Sequence, residues 1–371
     1  MNTGFPLKQV VIFFFFMTFL ACKKDPVDPE PVIPERSVLI YIGANNNLHD
    51  DALITVKKIV EGAKAVPNGS LVVYLRTQFN SSLLKISTGK SNVRIDTVKN
   101  YTSGNSSDPA FLSEVIKDAR ACAPARSYGL VLWSHATSWA PADKVSTESF
   151  GSDDFREMDI KDLKNALPED WEYIMFDACS MAAVEVVYEL KDKAKYILAS
   201  PAEVLSSSFP YDKILPHLFE QEEGLKTVAR KFIDYYNEQS GLYASATVAL
   251  IKVHEIEKMA SLTKELLEKK KPVFPYNPDK LQSMDFDEGG LAAYDFISFL
   301  ENNYPEADLQ PLKEQLEKVV LFKDHTPNFF DIPIKNYCGL SIYTPVANDP
   351  FKSYYSTLNW SSASDWYLLF Q

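Results

Sequence analysis

The sequence predicts an α/β fold built on a mostly parallel central sheet with helices on both faces. Three observations carry that expectation. Short continuous apolar runs recur between residues 37 and 252, as strands buried on both faces of a parallel sheet require. Segments with apolar residues at helical spacing separate them, and such strand–helix alternation is the pattern of βαβ units. The clearest instance runs from Glu172 to Leu190. There Tyr173–Phe176 reads as a buried strand, and Met181, Val184, Val187 and Tyr188 recur at helical spacing. Asp177-Ala178-Cys179 lies between the two.

Taken in order, Ser37–Gly43 is an apolar strand followed by the polar turn Asn45-Asn46-Asn47. A helix is expected from about His49 to Ala65, a second strand at Ser70–Arg76 and a hairpin across Leu83–Val98. Asp108-Pro109 pairs an N-cap with proline at the first helical position, so a helix starts there and runs to about Ala121. Tyr128–Trp133 is a buried strand ending in Ser134-His135-Ala136-Thr137-Ser138-Trp139. Ala140–Asp159 has no periodicity, and a loop of that length inside a compact domain is functional or disordered. A short helix (Ile160–Leu167) leads into the 173–176 strand, whose following helix begins near Ser180. Lys195–Ser200 and Ala246–Lys252 are further strands, with helices at Glu223–Asn237 and His254–Lys270. Beyond Pro272 the pattern weakens to helices near Asp295–Asn302 and Leu309–Val320 and a last strand in Gly339–Pro345.

Composition narrows the function. A formal charge of −12 disfavours nucleic acid, because phosphate binding needs a basic surface. Cys22, Cys122, Cys179 and Cys338 are irregularly spaced, which fits neither a disulfide framework nor a zinc site. The five histidines include no His-Glu-x-x-His pair, so no metal motif is read.

The N-terminus has its own logic. Lys8 precedes an apolar stretch, Val10–Ala21, too short to span a bilayer and suited to a signal-peptide core. Phe19-Leu20-Ala21-Cys22 resembles a bacterial lipoprotein processing site, which makes residues 1–21 a signal peptide and Cys22 the lipidated first residue. An uncleaved signal anchor is the other reading. Residues 22–35, rich in proline and acids, form an extended tether. The expected location is therefore outside the cytoplasm: a membrane-anchored lipoprotein of the bacterial cell envelope, at the outer membrane or cell surface.

Two strand ends carry candidate chemistry. One strand ends near His135 and a later one near Cys179, and the carboxyl ends of parallel strands share one edge, where ligands collect. A helix N-terminus beside Cys179 would stabilise its thiolate, and a neighbouring histidine can take the thiol proton. Separately, each has a plain alternative: Cys179 as a small buried hydrophobe and His135 as a capping or loop residue.

At this point the sequence resembles the clostripain family of cysteine peptidases, relatives of caspases, gingipains and legumain. The resemblance rests on Tyr-Ile-Gly-Ala-Asn-Asn-Asn-Leu (41–48), Leu-Trp-Ser-His (132–135) and Phe-Asp-Ala-Cys-Ser-Met (176–181), continuing through Glu185 and Tyr188-Glu189-Leu190. Ala199-Ser200, Phe209-Pro210-Tyr211, Asp295-Phe296 and the late Gly-Leu-Ser-Ile-Tyr add to it in the family's order. It implies a caspase-like peptidase domain over residues 36–271, with 272–371 an extension packed on the same domain. By that resemblance Cys179 is the nucleophile and His135 the general base and acid, with no third residue needed to orient the histidine. The backbone N–H groups of Ala136 and Cys179 would hold the oxyanion. Ala136 stands where the family usually has glycine, so that donor survives only if the backbone there avoids φ > 0. Asp177 matches the acid lining the pocket for the residue before the scissile bond, a partner for Arg or Lys. Its alternative is a cap for the helix near Ser180. Glu203 is a weaker candidate for added pocket charge, the alternative being a solvated side chain. Lys144 is the candidate for self-cleavage or an ordinary surface lysine.

No cofactor is implied, although some family members need calcium. Asp153 and Asp154 lack the spaced oxygens of a calcium loop. The expectation is a lipid-anchored exported endopeptidase that cleaves peptide or protein substrates after Arg or Lys through a Cys179 thioester. The rival is a catalytically impaired surface lipoprotein acting as a binding module, supported by Ala136. A second rival is a non-peptidase α/β lipoprotein.

Overall fold

The structure, a computed structural model, describes residues 1, 33–66, 69–88, 93–141, 150–154, 156–270, 277–286, 291–345 and 348–370. Residues 2–21 of the expected signal peptide, Cys22, most of the tether and Lys144 lie outside the described residues. Every element below belongs to the unit Ile33–Gln371.

From the amino end the chain forms β1 (Arg36–Gly43), α1 (His49–Ala63), β2 (Ser70–Arg76) and the hairpin β3 (Ser81–Thr88) and β4 (Val93–Asn100). Next come α2 (Pro109–Cys122), β5 (Ser127–Trp133) and a small ribbon, β6 (Phe150–Asp153) with β7 (Arg156–Met158). Helix α3 (Ile160–Ala166) feeds β8 (Trp171–Asp177), followed by α4 (Val184–Glu189) and β9 (Ala194–Ala199). After α5 (Tyr211–Ile214) and α6 (Glu222–Asn237) run β10 (Thr247–Lys252) and α7 (Ile256–Lys269). Strand β11 (Ala293–Asp295), α8 (Phe296–Glu301), α9 (Glu306–Val319) and β12 (Val320–His325) complete the main elements.

Among the described residues nine strands form the main sheet, in the order β12-β10-β9-β8-β5-β1-β2-β3-β4. The pairs β9–β8, β8–β5, β5–β1 and β1–β2 are parallel, and both flanks are antiparallel. Alternation along each strand sends side chains to opposite faces. Val38, Ile40, Ile42, Val131, Met175 and Leu198 join one cluster with Ile59 of α1, Ile214 of α5 and Phe232 of α6. Leu39, Tyr41, Leu130, Leu132, Ile174 and Phe176 join the other with Leu112 of α2, Val187 of α4, Met259 of α7 and Leu312 of α9. Full burial of one such side chain stabilises by roughly 1.5–3 kcal/mol. Burial, not propensity, therefore holds α4 and α5, which are too short to persist alone.

Local rules place the helices that frame the site. Asp108 caps α2, its Oδ1 accepting the Phe111 N–H at 2.9 Å. Three expectations change. The 140–159 stretch contains the β6–β7 ribbon, and the chain after α9 leaves as strand β12 on the sheet edge. The helix expected from Ser180 begins only at Val184. Ser180 sits at φ 60°, and its N–H and that of Ala182 donate to Ala202 and Ser200 at 2.8 and 2.9 Å. Those bonds tie residues 180–182 to the chain leaving β9; the left-handed Ser180, and the Ala182 carbonyl that accepts the Ser341 N–H at 3.1 Å, keep them out of the helix.

Candidate active site

The site lies at the carboxyl edge of β1, β5 and β8. Trp133, which ends β5, is the register partner of Asp177, which ends β8. His135 and Cys179 each follow by two residues, so they occupy equivalent places on adjacent strand tips. Both are half-buried, and both line the same two cavities. The shared edge expected from a parallel sheet thus brings these two side chains together.

His135 is fixed from three directions. Its Nε2 lies 2.6 Å from Asn47 Oδ1, which can only accept, so Nε2 carries the hydrogen and Nδ1 is left as the basic nitrogen. Its carbonyl accepts the Gly151 N–H at 2.8 Å; Gly151 has φ 78°, a conformation suited to glycine. Ser134 Oγ donates to the Gly43 carbonyl at 2.6 Å, tying the β5 tip to the β1 tip. Burial lowers the imidazole pKa below its ordinary value, which favours the neutral form needed to accept a proton.

Asn47 is the residue the sequence reading missed. The run Asn45-Asn46-Asn47 reads as a polar turn, yet each side chain takes a different partner: Asp153 Oδ1 at 2.5 Å, the Ser152 carbonyl at 2.8 Å and His135. Its signal was a cluster of three amides directly after a buried strand, on the edge where ligands collect.

Ala136 is absent from the residues with positive φ, and the left-handed turn falls instead on Ser138, at φ 66°. Ala136 pairs with Phe150 in an antiparallel bridge whose hydrogen bond is made by the flanking Gly151 N–H and His135 carbonyl. In that register its own N–H is not used by the ladder.

Cys179 Sγ meets the main chain of Val204, accepting its N–H at 3.3 Å and lying 3.7 Å from its carbonyl oxygen. The helix N-terminus expected beside the sulfur is absent, since α4 starts five residues later with Ala183 as its cap position. The later start also removes the helix-cap reading of Asp177.

Asp177 is 4% exposed and borders the larger of the two cavities, about 360 Å³, with Asn47, Leu48, Val204 and Phe330 on its walls. Its Oδ2 accepts from the Ser208 hydroxyl, the Tyr211 hydroxyl at 2.9 Å and the Phe209 N–H at 3.4 Å. Burial pushes its pKa up to about 6, against those bonds, which pull it down. Near pH 7 it is mostly ionised. Glu203 stands where the two cavities meet, half-buried rather than freely solvated, with Oε1 accepting the Phe286 N–H at 2.9 Å.

Among the described residues no group of three or more His, Cys, Asp or Glu could hold a metal ion. Asp153 does not fit calcium: Arg76 Nε lies 3.0 Å from its Oδ2, and Ser106 and Asn45 fill its remaining acceptor sites.

Comparison with known proteins agrees with this arrangement. The clostripain family profile matches residues 40–369. An inactive zymogen C11 protease from Parabacteroides distasonis superposes with a TM-score of 0.80 at 29% identity, covering 90% of this chain and 99% of that one. A secreted C11 cysteine protease from Bacteroides thetaiotaomicron, solved with an irreversible peptide inhibitor, gives 0.81 at 26% identity over the same shares. Among curated proteins there is no match. The chain belongs to the clostripain family of cysteine proteases.

Proposed function

We propose that this protein is an exported, lipid-anchored cysteine endopeptidase that cleaves after Arg or Lys. The observation that carries the reading is the placement of His135 and Cys179 at equivalent strand tips beside a cavity that has Asp177 on its wall. His135 Nδ1 takes the thiol proton and Sγ attacks the substrate carbonyl carbon. The Ala136 and Cys179 N–H groups receive the oxyanion, and the non-positive φ of Ala136 supports the first of these donors. The C–N bond then breaks, the imidazolium gives its proton to the departing nitrogen, and a thioester remains on Cys179. Water, deprotonated by His135, attacks the thioester and releases the acid and the thiol.

Asp177 receives the guanidinium or ammonium of the residue before the cut, and Glu203 adds negative charge where the cavities meet. The inhibitor complex of the Bacteroides thetaiotaomicron relative supports a peptide as the ligand class, and its description as secreted supports export. The sequence Leu-Ala-Cys ending at Cys22 supports the lipid anchor, and the position of Lys144 after His135 supports self-cleavage there. Intact-mass analysis of the purified chain tests both: a lipidated start at Cys22 and a break after Lys144 are expected, and an unmodified N-terminus or an uncut active chain contradicts them. The binding-module rival rests on Ala136, whose backbone makes no demand for glycine.

The test is hydrolysis of a fluorogenic Arg or Lys peptide under reducing conditions. Wild type should cleave it and Cys179→Ala should not. Unchanged hydrolysis by the variant would remove the proposal, and inert wild type would favour the binding module.

A further inference from the structure

We infer that the cavity on the Trp139 side of Cys179 is a second side-chain subsite, which takes an apolar residue immediately after the scissile bond. The inference rests on the peptidase reading above. The two cavities meet at the sulfur, sharing His135, Cys179 and Glu203. A peptide whose basic side chain occupies the Asp177 cavity must therefore lay a neighbouring residue across the other. His135 has to deliver its proton to the departing nitrogen, so the departing residue passes on the imidazole side. The wall that continues from the imidazole, Ala136 through Trp139, lines this second cavity.

Its chemistry suits an apolar side chain. The cavity is about 210 Å³ and is walled by Trp139, Ala183, Leu291, Ala293 and Tyr343. Carboxylates of Glu203 and Asp285 stand on its boundary and oppose an acidic occupant. Ser138 supplies a polar handle. It is 5% exposed, and its hydroxyl has no hydrogen-bond partner among the described residues. A buried hydroxyl without a partner is costly, and a passing peptide main chain would satisfy it. Ser138 and Ser180, both in the lining of this cavity, hold left-handed backbone, at φ 66° and 60°. Such strain in residues other than glycine gathers at ligand sites.

The experiment is a panel of internally quenched peptides with a constant basic residue before the bond and Leu, Phe, Gly or Asp after it, and a second set in which the residue preceding the basic one is varied in the same way. The coumarin amide of the same basic peptide is run alongside. For wild type, kcat/KM with Leu or Phe should exceed that with Gly by about tenfold or more, with Asp lowest. Ala293→Phe, which narrows the cavity, should bring the Leu-to-Gly ratio toward one, and Ser138→Ala should lower kcat/KM on the quenched peptides. Equal rates across the wild-type panel, with the coumarin amide still cleaved, overturn the subsite and leave the peptidase reading standing. An apolar preference confined to the residue before the basic one also overturns it. Failure of wild type on both substrate kinds overturns subsite and peptidase reading together.

Discussion

Asp153 and Asp177 are buried to nearly the same degree, 0% and 4% exposed, on the same edge of the sheet, and their electrostatics are opposite. Burial alone would raise both. Around Asp153 the Arg76 guanidinium, the Ser106 N–H and the Asn45 amide outweigh burial and hold the carboxyl below its ordinary range. Around Asp177 the direct partners are two hydroxyls and one N–H, while Lys58 acts on it only weakly, and burial wins. The first carboxylate has its counter-ion built in and serves as a clamp, joining the β6 ribbon to the tips of β1 and β2. The second keeps a negative charge that no side chain in contact neutralises, which is the property a pocket for a cationic residue needs.

Substitutions at three positions sharpen that contrast. Asp153→Ala should have the largest effect on stability, a loss of about 3 kcal/mol, because it strands a guanidinium that is only 23% exposed. Denaturant unfolding measures this, and a loss below about 1 kcal/mol would break the clamp account. The pH sign follows from the lowered pKa: the Asp153 contribution is present above its unfolded value and is lost in acid as pH falls through the folded one.

Asp177→Asn should reduce selectivity for Arg and Lys on the order of 10²-fold. Here the folded pKa, about 6, lies above the ordinary 3.8, so the native state binds the extra proton. Stability from this group therefore falls as pH rises between those values, and the Asn variant should lack that slope. The same titration means that KM for basic peptides should fall between pH 5 and 7 in wild type and stay flat in the variant.

Asn47→Ala should have the smallest effect, about a tenfold drop in kcat, since it frees the imidazole to turn while leaving the Asp177 carboxylate in place. Asn47→Asp, which keeps the acceptor and adds charge, should restore orientation and move the acid limb of the kcat profile upward. An unchanged limb would reduce Asn47 to a surface contact.

The parts of this arrangement that sequence disclosed are those built from local patterns. Leu130–Trp133 and Tyr173–Phe176 are continuous apolar runs, so their strands, and the thiol and imidazole just beyond them, could be placed on one edge. The parts it hid depend on partners far along the chain. Asp153 lies 108 residues from Asn45 and 77 from Arg76, and nothing local marks it as a hub. The start of α4 moved because Ser180 holds left-handed backbone and the Ala182 carbonyl is taken by the Ser341 N–H, a tertiary effect invisible in periodicity. Strand β12, Val-Leu-Phe-Lys-Asp-His, is half polar because it closes a sheet edge, and it reads as the end of the preceding helix.

The most direct measurement is labelling with a Lys-terminated peptide carrying an electrophilic ketone, followed by mass mapping of the three cysteines of the folded region, Cys122, Cys179 and Cys338. The account predicts a single thioether on Cys179, lost in His135→Ala and slowed in Asp177→Asn. Labelling spread equally over the three, or a rate on Cys179 indifferent to His135, would contradict it.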